Sequence, residues 1–174
     1  KEFGITVHYV DERIDSGDII LQRSYKISDQ DNYKSLLERA YLECANILYD
    51  VILMFKKDNV KAYKQTELHP EGFYCPKRKI GDEILNWNQT SREIFNFVRA
   101  ICSPGPIARA YLNNEEMKIN KVEFIKDAPI YKGIIGSILN KEPDSFIVKT
   151  KDSFIKVTEF EYNGKIKIGD RFEI

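Results

Sequence analysis

The residues of this chain best suited to chemistry stand near its beginning, in the run VHYVDERIDSGDII from Val7 to Ile20. Asp15 lies there beside Ser16-Gly17-Asp18, between two segments that read as extended. A carboxylate so placed can project into a cleft at a strand end, where it would orient or charge a base. Asp and Gly are also good turn formers, so taken alone the same four residues read first as a polar turn. His8 follows the strand pattern and reads as packing or as a support behind a site, whereas His69 stands in a polar stretch and reads as solvated. Cys44, Cys75 and Cys102 form no CxxC pair, and with two histidines they make a poor zinc set. Their odd number and wide spacing fit reduced thiols, hence a cytoplasmic protein that needs no metal.

These residues need elements to hold them. Ile5 to Val10 is β-branched and aromatic and predicts a strand, and Ile19 to Ile27 predicts a second extended segment. Ser28 to Asp31 are good cap residues, and Leu36, Leu37, Ala40, Cys44, Leu48 and Val51 recur at helical spacing. That pattern predicts one long helix from about Tyr33 to Lys57. Residues 58–83, broken by Pro70, Gly72, Pro76 and Gly81, read as a connector. Thr90-Ser-Arg-Glu93 has the spacing of a capping box, opening a helix that stops before Pro104-Gly105-Pro106. Strand-like runs follow at 117–125, 133–139, 145–149, 153–160 and 165–168, with hairpin turns expected at Lys151-Asp152 and Asn163-Gly164. So many short strands in about 60 residues favour a small barrel, which removes exposed edges.

The totals narrow the function classes. Lys+Arg and Asp+Glu each number 27 in 174 residues, so a generic nucleic-acid or membrane-surface binder is disfavoured. The barrel lysines, Lys118, Lys121 and Lys156 among them, are interleaved with acids and read as a solvated surface rather than an RNA-binding face. No apolar run approaches the roughly 20 residues of a membrane span. The charged opening residues do not read as a signal peptide. The immediate start on a strand predicts a chain that begins inside a domain.

Gly4, Thr6, His8, Val10, Asp15, Gly17, Ile19 and Gln22 together resemble the region around the catalytic aspartate of the 10-formyltetrahydrofolate-dependent formyltransferases. Tyr74-Cys-Pro-Lys77, Asn86-Trp87, Val98-Arg99-Ala100 and Pro104 resemble the later part of the two-domain members, the sugar-nucleotide N-formyltransferases and methionyl-tRNA formyltransferases. Asn86 stands where that family usually has Asp, and the Pro-Gly-Pro turn is atypical.

What the resemblance implies is specific. The fold would be α/β, the C-terminal part of a Rossmann-like formyltransferase domain followed by a small OB-like β-barrel. Residues 1–57 would belong to the catalytic domain, 58–83 to the connector and 84–174 to a helix plus barrel. Asp15 would be the catalytic aspartate beside an imidazole, serving a reaction in which an amine attacks the formyl carbon and an oxyanion forms. The catalytic Asn and His would lie upstream, in an N-terminal half of the same protein. The backbone of Val10, Asp11, Glu12, Arg13 and Ile14 would read the pterin ring of 10-formyltetrahydrofolate, the formyl donor. These loop charges are equally ordinary solvated residues. Trp87 would stack on the acceptor or pack a domain junction, and Arg99 would contact its phosphate or a structural acid. The acceptor expected is a nucleotide-linked amino sugar, with initiator methionyl-tRNA as the alternative. A homodimer stays open, and a non-catalytic binding module is the rival from another class.

Overall fold

The computed structural model describes residues 1–173, and contacts divide it into two units. One consists of Lys1–Asp31 and Ser35–Lys77, the other of Asn32–Lys34 and residues 78–173.

In the first unit β1 (Glu2–His8) and β2 (Ile19–Lys26) pair antiparallel, with Thr6 opposite Gln22. The Gln22 side-chain amide donates to the Thr6 hydroxyl at 2.8 Å across that pair. Helix α1 (Tyr33–Lys56) follows, and Lys56 supplies the positive charge that suits a helix C-terminus. Arg23 reaches Asp50 at 2.6 Å and the Tyr25 hydroxyl reaches Glu43 at 3.0 Å, so side chains tie β2 to α1. The parallel pairing that a Rossmann-like domain requires does not occur among the described residues of this unit. A four-residue helix, α2 (Gln65–Leu68), interrupts the stretch expected to be plain connector.

In the second unit the capping box forms as its spacing predicts. The Thr90 hydroxyl accepts from the Glu93 backbone at 3.2 Å, and the Glu93 carboxylate accepts from the Thr90 backbone at 2.8 Å. Helix α3 (Ser91–Ile101) then buries Ile94, Val98 and Ile101 on one face. Five strands form one antiparallel sheet: β3 (Ala108–Leu112), β4 (Glu115–Glu123), β5 (Ile138–Lys141), β6 (Phe146–Lys149) and β7 (Phe154–Glu161), in the order β3-β4-β7-β6-β5. Alternation sends Met117, Ile119, Ile155 and Val157 to one face, where they meet the helix stripe, Trp87, Phe146 and Phe172 in a single core.

Several expectations are corrected here. The sheet begins with β3, which the sequence reading passed over. The hairpin turn between β3 and β4 is Asn113-Asn114, both at positive φ (54° and 63°), as a two-residue turn of this kind demands. Asn163-Gly164 starts no hairpin and 165–168 is not a strand, because this stretch crosses to the far side of the sheet and delivers Phe172 to the core. The OB-like barrel is not closed by a continuous ladder. Instead the terminal stretch ties both edges: Ile138 N–H donates to Asp170 O and Phe172 N–H to Gly136 O at one, Glu173 N–H to Tyr111 O at the other. Edge groups are thereby satisfied without a sixth strand.

Candidate active site

The loop from Tyr9 to Asp18 is built by its own side chains. One oxygen of the Asp11 carboxylate accepts from the Arg13 backbone at 3.0 Å and from the Ser16 hydroxyl at 2.6 Å. Those two donors, the hydroxyl foremost, hold the Asp11 carboxyl below the usual aspartate range. The chain then turns left-handed at Asp15 (φ 51°), a conformation Asp tolerates better than most residues. At Gly17 a Cβ would lie 1.6 Å from the Tyr9 carbonyl oxygen, so only glycine lets the loop close. Tyr9 N–H donates to Asp18 O at 2.9 Å directly beneath that closure.

The stretch after α1 holds the loop from outside. Tyr63 and Ile19 exchange both backbone hydrogen bonds, at 2.8 and 3.1 Å. The side-chain amide of Gln65 donates to Asp15 O at 2.7 Å and to Gly17 O at 2.9 Å. The Tyr74 hydroxyl donates to Ile14 O at 3.3 Å. Tyr9 sets its ring edge against Phe55 of α1, with centroids 6.3 Å apart.

The result is an exposed carboxylate on a braced backbone. The Asp15 side chain is 85% exposed, and its Oδ1 lies 3.8 Å from His8 Nε2. His8 Nδ1 lies 2.7 Å from its neighbour Tyr9's carbonyl oxygen. A carbonyl only accepts, so Nδ1 carries the hydrogen and Nε2 faces the carboxylate. Protonated, His8 would form an ion pair with Asp15, and the carboxylate could equally charge an imidazole brought to its open side. Val10 and Ile14 hold apolar side chains in solvent, at 93% and 74% exposure, and Asp11, Glu12 and Arg13 between them are exposed. Apolar side chains displayed from so firmly held a loop suit a flat heterocycle laid against it.

The acceptor-binding candidates lie in the second unit. Trp87 is fully buried, stacked on Phe172 with centroids 4.7 Å apart, and its Nε1 meets no acceptor among the described residues. Both its faces serve the core, which removes it as a stacking surface for a substrate. Arg99 is half-buried on α3, with Nε donating to Asn96 Oδ1 at 3.1 Å and its guanidinium 5.1 Å from the Phe95 ring centroid. It is engaged within its own helix. No group of three or more His, Cys, Asp or Glu among the described residues could hold a metal ion. Nor is any described helix long and apolar enough to cross a membrane.

Reading the sequence missed Tyr63 and Gln65, and it gave Tyr74 no part in this loop. Their only signal was the rarity of a long structureless connector.

Two family models match this chain. The family model described as "Formyl transferase, C-terminal domain" matches residues 78–171, and that described as "Formyl transferase" matches residues 1–52. The methionyl-tRNA formyltransferase of Fusobacterium nucleatum is 36% identical over 93% of this chain and 51% of its own length. That of Mycoplasma mycoides is 31% identical over 99% of this chain and 59% of its own. The chain thus spans between half and six-tenths of these relatives. Among solved structures, the sugar 3N-formyl transferase WlaRD, determined with dTDP and 5-N-formyl-THF, superposes with a TM-score of 0.67 at 27% identity, covering 91% of this chain and 55% of that one. The Helicobacter canadensis N-formyltransferase, in complex with folinic acid and dTDP-3-aminofucose, gives 0.69 at 22% identity over 92% and 56%, a likeness of fold. With the C-terminal-domain model alone covering more than half of it, this chain belongs to the formyl transferase family.

Proposed function

We propose that this chain is part of an enzyme that moves a formyl group from 10-formyltetrahydrofolate to a primary amine, and that Asp15 is its contribution to the chemistry. One observation carries the reading: an exposed carboxylate on a left-handed, externally braced turn, inside the stretch that the formyl transferase family model matches. The donor supplies the activated formyl carbon. Val10 to Ile14 would hold its pterin edge, through backbone groups and the two exposed apolar side chains. Asp15 would hold an imidazole in its charged form beside the reacting amine and so assist proton transfer. The Asn and His that complete such a site are expected from the rest of the polypeptide.

For the acceptor we favour a nucleotide-linked amino sugar. Residues 78–174 hold 16 Lys and Arg against 14 Asp and Glu, a near balance, and three of the basic side chains face acids. Lys118 pairs with Glu161 at 3.0 Å, Lys156 with Glu142 at 2.7 Å, and Arg109 with Glu116 at 3.0 Å. So even a balance of charge offers less to a polyanion than a basic face would. Initiator methionyl-tRNA is the second reading, favoured by relatives 31–36% identical that match nearly the whole chain.

The test is Asp15→Asn in the complete polypeptide, assayed with both acceptors. Turnover should fall by at least about 10²-fold with the fold intact, and activity within a few-fold of the parent would remove Asp15 from the mechanism. Affinity for tRNA that drops by orders of magnitude between roughly 50 and 200 mM salt would select the tRNA acceptor.

A further inference from the structure

Asp15 can serve only if the turn that carries it keeps one shape, and its own residues do not guarantee this. A left-handed Asp is intrinsically less stable than a right-handed one, and an exposed loop pays conformational entropy for every residue it fixes. Within the loop, order comes from Asp11 on Arg13 N–H and Ser16 Oγ, donors two residues before Asp15 and one after it, neither on Asp15 itself. The carbonyls of Asp15 itself and of Gly17 after it are gripped from elsewhere. Gln65 Nε2 donates both of its hydrogens, one to Asp15 O at 2.7 Å and one to Gly17 O at 2.9 Å. Both partners are carbonyl oxygens, which only accept, so the amide must present its NH2 and no other orientation satisfies them. Tyr63, two residues earlier, is bonded to Ile19 in both directions, which fixes where Gln65 starts.

We propose that Gln65 is a positioning residue for Asp15: its amide nitrogen clamps the two carbonyls around the left-handed turn and so aims the carboxylate. The proposal rests on the reading of Asp15 as the working carboxylate. It assigns a role to the stretch after α1, fifty residues away in sequence, to which neither family model extends. A glutamate of the same shape lacks both donors and would set negative charge against two carbonyl oxygens. A leucine keeps the bulk and loses the bonds.

The experiment compares Gln65→Glu, Gln65→Leu and Asp15→Asn with the parent, by hydrogen exchange on this chain and by kinetics on the complete polypeptide. In both Gln65 variants, amides of residues 9–18 should exchange at least about 10-fold faster, while β2 and α1 of the same unit stay at parent rates and report that its fold persists. Turnover should fall at least about 10-fold at nearly constant KM for the amine, since aim is lost rather than binding. Parent-like loop exchange in Gln65→Leu would overturn the clamp. So would parent-like turnover in Gln65→Glu alongside a disabled Asp15→Asn. Parent-like turnover in Asp15→Asn would instead defeat the reading of Asp15, and the loop-exchange result would then judge the clamp by itself.

Discussion

Asp15 and Gly17 do opposite jobs two residues apart, and each is set by local sterics. Asp15 accepts a left-handed turn so that its carboxylate faces outward, while Gly17 has no side chain because the Tyr9 carbonyl occupies that space. Gly17→Ala should therefore break the Tyr9–Asp18 closure at a cost of about 1–3 kcal/mol, typical of forcing an atom into filled space. Faster exchange of the Tyr9 amide is the reading to look for, and an unchanged rate would show that the loop has slack. Asp11 gives this loop a pH dependence. Its folded carboxyl is held below the value of 3.8 expected when unfolded, so its stabilisation is fully present above that pH and fades as pH falls through the lower, folded value. Acid should loosen residues 9–18, and Ser16→Ala should move the loosening to higher pH, as carbon NMR of the Asp11 carboxyl can follow. The turn through Asp15 and Gly17 was legible because it is written in neighbouring residues. Gln65 was not, since a lone Gln in a polar stretch looks like any solvated side chain until the fold brings it fifty residues back. Trp87 shows the reverse limit: a single tryptophan reads as a binding platform or a core residue with equal ease, and burial alone decides.

Elements whose signals are local were legible to within a few residues. The long helix announced itself by period, α3 by its capping box, and β2, β6 and β7 by β-branched runs near their observed bounds. Elements defined by partners were not. β3 (Ala108–Leu112) begins two residues after Pro106 and contains Arg109, so it lacks a strand-like look, and it is made a strand by β4 alongside it. The turn at Lys151-Asp152 was legible as a turn, but its second use was hidden. Asp152 Oδ1 accepts from the backbone of Ser91 at 2.9 Å, the first residue of α3, and from Ser153 N–H at 2.9 Å and Thr150 Oγ1 at 3.1 Å. A hairpin turn thus satisfies a helix N-terminus 61 residues away and places a negative charge where the helix dipole favours one. Burial pushes the Asp152 carboxyl up, yet those donors outweigh it and leave it lowered. Asp152→Ala should destabilise the second unit by about 1–3 kcal/mol, the scale for buried donors left without a partner. Urea unfolding followed by tryptophan fluorescence reads it directly, because Trp87 lies in that core. A midpoint unchanged from the parent would mean that water replaces the carboxylate at no cost.

At the scale of the molecule, apolar burial is divided unequally between the units. Of the buried hydrophobic residues, only Ile19, Ile20, Ile47 and Val51 belong to the first, while the second gathers Trp87, Phe146, Phe172 and fourteen others into one cluster. Each large side chain taken fully from water contributes about 1.5–3 kcal/mol, so the second unit has several times the driving force from a chain only about a third longer. Meanwhile α1 leaves Tyr41, Leu42, Leu48, Tyr49, Ile52 and Phe55 at least half exposed. Its hydrogen bonds are intact, but few side chains cost anything when it opens. Two stabilities should follow rather than one. In the isolated chain, amides of β4, β6, β7 and α3 should exchange only through global unfolding of their unit, with β1, β2 and α1 exchanging through far cheaper openings. Urea should release the first unit at lower concentration, with a shallower slope because less surface becomes newly exposed. Since Asp15 and its clamp stand in the weaker unit, ordering of that unit should set the activity of the site, and any partner that covers the open face of α1 should slow exchange in residues 9–18 as well. Equal protection of α1 and the β-sheet in the isolated monomer would contradict this division, and hydrogen exchange resolved by peptide can decide it in one experiment.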